Sequence, residues 1–113
     1  DIQKVSEAIT PRTKAILAVN LLGNPSDLLA LQQISKEHNL LLFEDNCESL
    51  GAKVNGKQAG TFGMAGTYSS FFSHHISTME GGITVTDDLA FCDKNEYIEV
   101  EQCQECDGTG VIP

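Results

Sequence analysis

The chain has 113 residues, 41% of them hydrophobic, enough for one small domain with a packed core. Its 16 acidic against 7 basic residues give a net charge of −9, which argues against nucleic acid or an anionic membrane surface as partner, since both need clustered Lys and Arg. No apolar run reaches the length of a membrane span, and the N-terminus lacks a basic stretch leading into an apolar one, so no membrane association and a cytoplasmic location are expected.

Asp1 can cap a short helix in which Ile2, Val5, Ala8 and Ile9 recur at helical spacing, and Thr10-Pro11-Arg12-Thr13 breaks it. The run Ala15–Leu22 is apolar without alternation, the pattern of a strand buried on both faces in a parallel sheet. After the turn Gly23-Asn24-Pro25, Ser26 is expected to cap a helix over about 27–38 whose inward stripe is Leu28, Leu31 and Ile34. A second buried strand follows at Leu40–Phe43, and strand, helix, strand in this order predicts a parallel crossover.

The acidic stretch Glu44–Gly51 then falls at the carboxyl end of that strand, where open α/β sheets bind ligands. Read alone, Asp45 or Asn46 could equally cap a short helix over Cys47–Leu50. Lys53–Lys57 reads as a hairpin turning at Asn55-Gly56. Gly60, Gly63 and Gly66 are spaced by three, a weak signal for phosphate binding, and Tyr68–Phe72 and Ile83–Thr86 read as the remaining strands.

Between those strands, Ser69–Gly82 (Ser-Ser-Phe-Phe-Ser-His-His-Ile-Ser-Thr-Met-Glu-Gly-Gly) gathers hydroxyls, aromatics and the pair His74 and His75 on a loop. Histidine exchanges protons near neutrality, so the pair is a candidate acid/base site as well as an ordinary surface pair. Four cysteines, Cys47, Cys92, Cys103 and Cys106, read as free thiols or metal ligands rather than disulfides.

Ser69 to Gly82 resembles the cofactor segment of the DegT/DnrJ/EryC1/StrS sugar aminotransferases, Ser-Phe-x-x-x-Lys followed by Glu-Gly-Gly, over residues 1 to about 88. The resemblance implies an internal piece of a pyridoxal-phosphate (PLP) enzyme: part of the three-layer α/β sheet of the aspartate aminotransferase-like large domain. His74 stands where that family keeps its lysine, with His75 as fallback should the alignment slip by one. A lysine amine forms a Schiff base with the PLP aldehyde, whereas an imidazole forms no stable imine and can only move protons. The exchange points to the sugar 3-dehydratase branch of the family, which carries His-His-Ile here.

In that branch the resemblance makes His74 the catalytic base and assigns Asp45, Glu48 and Ser69 to the cofactor, Asp45 on the pyridine nitrogen and Ser69 on the phosphate. It implies PLP or pyridoxamine phosphate as cofactor, glutamate as amine donor, a nucleotide-linked 4-keto-6-deoxy sugar as substrate, a homodimer, and a place in deoxysugar and lipopolysaccharide synthesis. The alternatives are an aminotransferase of the same family and a non-catalytic fragment. Residues 89–113 form a tail without a match, in which Cys103-x-x-Cys106-x-Gly-x-Gly resembles one repeat of a DnaJ-type zinc module. A cysteine-held iron–sulfur cluster, as in the CDP-linked dehydrase branch, would use Cys47 with Cys103 and Cys106.

Overall fold

The computed structural model describes residues 1–94 and 110–112. Helix α1 (Ile2–Ala8) starts at Asp1, whose carboxylate accepts from the N–H groups of Gln3 and Lys4. Strand β1 (Ala15–Val19), helix α2 (Leu28–Glu37) and strand β2 (Leu41–Asp45) form the expected crossover, with β1 and β2 parallel and Val19 opposite Asp45.

The hairpin β3 (Lys53–Val54) and β4 (Lys57–Gln58) turns on Asn55 and Gly56, both at positive φ (49° and 81°), as a two-residue turn of this hand requires. Strand β5 (Ala65–Ser69) pairs parallel to β2, and β6 (Gly82–Thr86) returns antiparallel beside β5. Helix α3 (Leu89–Lys94) and strand β7 (Gly110–Ile112) follow, giving the sheet order β1-β2-β5-β6-β7.

One sheet face carries the core. Ala18 and Leu42 meet Leu28 and Leu31 of α2, with Ala59 and Phe62 closing the cluster and Ile2 and Val5 of α1 packing at its edge. Because strand side chains alternate, Leu42 and Glu44 share this face while Phe43 and Asp45 take the other, where the Phe43 ring meets Phe91 of α3 at 6.2 Å.

Several boundaries differ from the sequence reading. β1 ends at Val19 rather than Leu22, and Leu17 and Val19 are 64% and 45% exposed, so β1 is covered on one face only among the described residues. Asp27, not Ser26, caps α2 by accepting from the N–H of Ala30, while the Ser26 hydroxyl turns back to the Val19 carbonyl at 3.5 Å and its N–H to the Asn20 side chain. Cys47–Leu50 is a turn, not a helix, and β2 runs on through Glu44 and Asp45.

The strand expected over Tyr68–Phe72 lies at Ala65–Ser69. It stops there because the Ser69 hydroxyl takes the Phe71 N–H and the Ser70 N–H pairs with the Gly81 carbonyl, closing a loop over 70–81. Cys103 and Cys106, on which the zinc and iron–sulfur readings depend, lie outside the described residues. Among the described residues no helix is long and apolar enough to cross a membrane.

Candidate functional site

Since β1, β2 and β5 are parallel, the turns that follow them emerge at one end of the sheet. They are Leu21–Asn24, Asn46–Gly51 and the loop over 70–81. A cavity of about 580 Å³ opens among them, lined by Leu22, Glu48, Ser73, His74 and His75.

The first two turns are bound together by a buried polar network. Asn20 donates to the Asn46 side-chain oxygen at 2.8 Å, accepts the Ser26 N–H on its own side-chain oxygen, and its carbonyl accepts the Ser49 hydroxyl at 2.6 Å. Asn20, Asn46 and Ser49 are all at most 1% exposed, so these bonds form out of competition with water and fix the two turns relative to each other. Glu48 then reaches across: its Oε2 accepts the Leu22 N–H at 3.1 Å.

Glu44 and Asp45 are neighbours with different environments. Glu44 is fully buried on the core side, its carboxylate accepting from the N–H groups of Gly60 (2.5 Å), Phe62 (2.6 Å) and Gly63 (2.9 Å). Charge-assisted bonds of this kind compensate burial of a carboxylate. Gly60 and Gly63, two of the three glycines whose spacing is a weak signal for phosphate binding, thus clamp a side chain of their own fold. They also allow close backbone approach: a Cβ on Gly66 would meet the Gly60 carbonyl at 2.2 Å, and one on Gly63 the Leu42 carbonyl at 2.2 Å. Tyr68, on the same face, donates its hydroxyl to the Ala59 carbonyl; burial first, and the Glu44 charge second, raise its pKa.

Asp45 is half-buried on the opposite face, its Oδ1 accepting the Cys47 N–H at 3.0 Å. In register it sits beside Thr67 of β5, which puts it on the same face as Ser69 two residues on. The Cys47 thiol is pushed up to about 11 by burial, by its hydrogen bond to Asp45 and by that carboxylate's charge. It is therefore held in the protonated, weakly nucleophilic form at neutral pH.

Of the residues singled out in the sequence, Glu48, His74 and His75 share the cavity; Asp45 and Ser69 share a sheet face beside it without lining it. The His74 ring stands edge-on to Phe71, and its Nδ1 is buried without a hydrogen-bond partner. Leu22, Asn20 and Asn46 were not singled out as site residues. Their one sequence signal was the Gly23-Asn24-Pro25 turn, which marks where the chain reverses but not what it holds in place.

Comparison with known proteins agrees with this architecture. A GDP-4-keto-6-deoxy-D-mannose 3-dehydratase of Yersinia pseudotuberculosis is 62% identical over 88 residues, 78% of this chain and 22% of its own. The solved Escherichia coli GDP-4-keto-6-deoxy-D-mannose-3-dehydratase with bound hydrated PLP superposes with a TM-score of 0.72 at 59% identity, over 78% of this chain and 23% of its own. A GDP-4-keto-6-deoxymannose-3-dehydratase structure with a trapped PLP-glutamate geminal diamine gives 0.73 at 58% identity, with the same coverage. The chain thus spans less than a quarter of the length of these relatives. A profile of the DegT/DnrJ/EryC1/StrS aminotransferase family matches residues 1–109, and the chain belongs to that family.

Proposed function

We propose that this chain is part of the cofactor-binding domain of a PLP-dependent nucleotide-sugar 3-dehydratase, acting on a GDP-linked 4-keto-6-deoxyhexose with glutamate as amine donor. The observation that carries the reading is an imidazole, His74, in a cavity shared with a carboxylate and, among the described residues, lined by no amine.

The residues present fit the cofactor. Asp45 offers a carboxylate to a pyridinium nitrogen, Ser69 a hydroxyl to a phosphate, and Glu48 a second carboxylate on the cavity wall. When bound, PLP supplies an electron sink that makes loss of the C3 hydroxyl feasible.

The chain's own part is proton handling and orientation. The unpartnered Nδ1 of His74 faces away from water, so Nε2 is the nitrogen left to take up a proton in the cavity and return it to the departing hydroxyl. A histidine suits this because it cannot hold the cofactor covalently as a lysine would. The Asn20–Asn46 pair and Ser49 keep the turn bearing Glu48 and the strand end bearing Asp45 in fixed relation. Exposed Phe72 and Met79 on the His74 loop suit a homodimer in which a second copy covers it. A cytoplasmic place in deoxysugar synthesis for lipopolysaccharide is part of the same reading.

The test is the full-length protein with His74→Asn and His74→Lys, assayed for water release from the GDP-linked sugar. Losing a positioned proton-transfer group lowers the rate about 10²- to 10⁴-fold. Dehydration at the wild-type rate in both variants removes His74 from the role.

A further inference from the structure

Among the described residues Leu22 is the most exposed large apolar side chain, at 88%, and one of four non-glycine residues at positive φ, here 53°. A leucine in the left-handed region is strained. The strain is borne at a position held firmly. The Leu22 N–H is bound by Glu48 Oε2, the Gly23 N–H by the Glu48 carbonyl at 3.0 Å and the Ser49 hydroxyl at 3.2 Å, and Leu21 bridges to Asn24. Strain that the surroundings enforce at a cavity wall points to a contact made by what enters the cavity.

We propose that Leu22 is a specificity-determining residue, the apolar wall against which the C6 methyl group of a 6-deoxy sugar packs. This rests on the dehydratase reading above. Glu48 and His74, which also line the cavity, are polar and suit the hydroxyl-bearing side of a sugar, whereas the Leu22 side chain offers no hydrogen bond. A 6-hydroxy sugar turned the same way would leave its hydroxyl desolvated against the leucine without a partner. Glu48 then has two tasks: one oxygen holds Leu22 in place while the other remains for the cavity.

The test uses Leu22→Asn in the full-length protein. Asparagine tolerates positive φ, so the turn keeps its shape while the wall becomes polar. Binding of GDP-6-deoxymannose, GDP-mannose and GDP is measured by calorimetry in the absence of cofactor. The wild type is expected to favour the 6-deoxy ligand, and Leu22→Asn to cut that preference about 10-fold, within the range a single methyl contact gives, with GDP affinity unchanged.

Preference retained in Leu22→Asn overturns the proposal, and so does an equal loss for all three ligands, which would place Leu22 against the nucleotide. Leu22→Gly, which relieves the strain and deletes the wall, must show the same loss of preference. If the wild type binds none of the three, the dehydratase reading fails too, whereas normal binding with lost selectivity only at Asn24→Ala would move the wall elsewhere in the turn and refute Leu22 alone.

Discussion

Glu44→Gln isolates what the buried carboxylate does, because it keeps the side chain's size and removes one acceptor and the charge. In the wild type Oε1 takes the Phe62 and Gly63 N–H groups and Oε2 takes that of Gly60. A glutamine oxygen can keep the first pair, but its NH₂ then faces the Gly60 N–H, donor against donor. Two buried donors left unmet at about 1–3 kcal/mol each give a loss of roughly 2–6 kcal/mol. Glu44→Ala strands all three N–H groups and opens a cavity, for about 4 kcal/mol or more, a large share of the roughly 5–15 kcal/mol that holds a domain together. Urea denaturation gives the loss, and amide hydrogen exchange locates it: Gly60, Phe62 and Gly63 should lose protection before β1 and α2 do. A Glu44→Gln protein within about 0.5 kcal/mol of wild type, the ordinary scatter of surface substitutions, with those amides still protected, would show that the carboxylate is not what holds the glycine loop.

Two further outcomes follow from the same geometry. Cys47, raised from an ordinary 9.0 to about 11, should react slowly with thiol reagents at pH 8 and faster as pH climbs toward 11, with Asp45→Asn accelerating it by removing the hydrogen bond and the charge. Because the folded thiol holds its proton more tightly than the unfolded one, its share of stability is complete below pH 9.0 and is lost as pH rises through about 11; a reaction rate flat across that range would contradict the assignment. Gly66→Ala should destabilise by several kcal/mol, since its Cβ would meet backbone, the Gly60 carbonyl, at 2.2 Å, while Gly56→Ala in the open hairpin turn should cost only about 1 kcal/mol of left-handed strain; equal losses in thermal melts would refute the distinction.

Much of the fold is legible because it depends on signals local in sequence. The apolar runs at Ala15–Val19 and Leu41–Phe43 around the α2 stripe specify a crossover, and Asn55-Gly56 specifies its turn. The end of the sheet that bears the cavity is likewise legible, since parallel strands send their following turns to one side. What the sequence hides is the division of labour between Glu44 and Asp45. Both read as acids at a strand end, and only pairing shows that one points into the core, to partners 16 to 19 residues away, and the other outward. The start of α2 is hidden for a similar reason: Ser26 and Asp27 are both good caps, and only the fold shows the Ser26 hydroxyl turned back to the Val19 carbonyl while the Asp27 carboxylate accepts the Ala30 N–H. Leu22 was read as the end of a strand because apolar character does not report φ.

The adjacency of Glu44 and Asp45 also constrains how such a chain can change over time. Side chains on β2 alternate between the sheet's two sides, so removing a single residue from Leu41–Asp45 would exchange their directions, aiming the outward acid at the glycine clamp and the clamped acid at the cavity end. Architecture and chemistry would be lost in one step, although no residue type had disappeared from the chain. Length variation must therefore accumulate elsewhere, in stretches such as the hairpin turn at Asn55-Gly56, while β2 admits substitution at a fixed length.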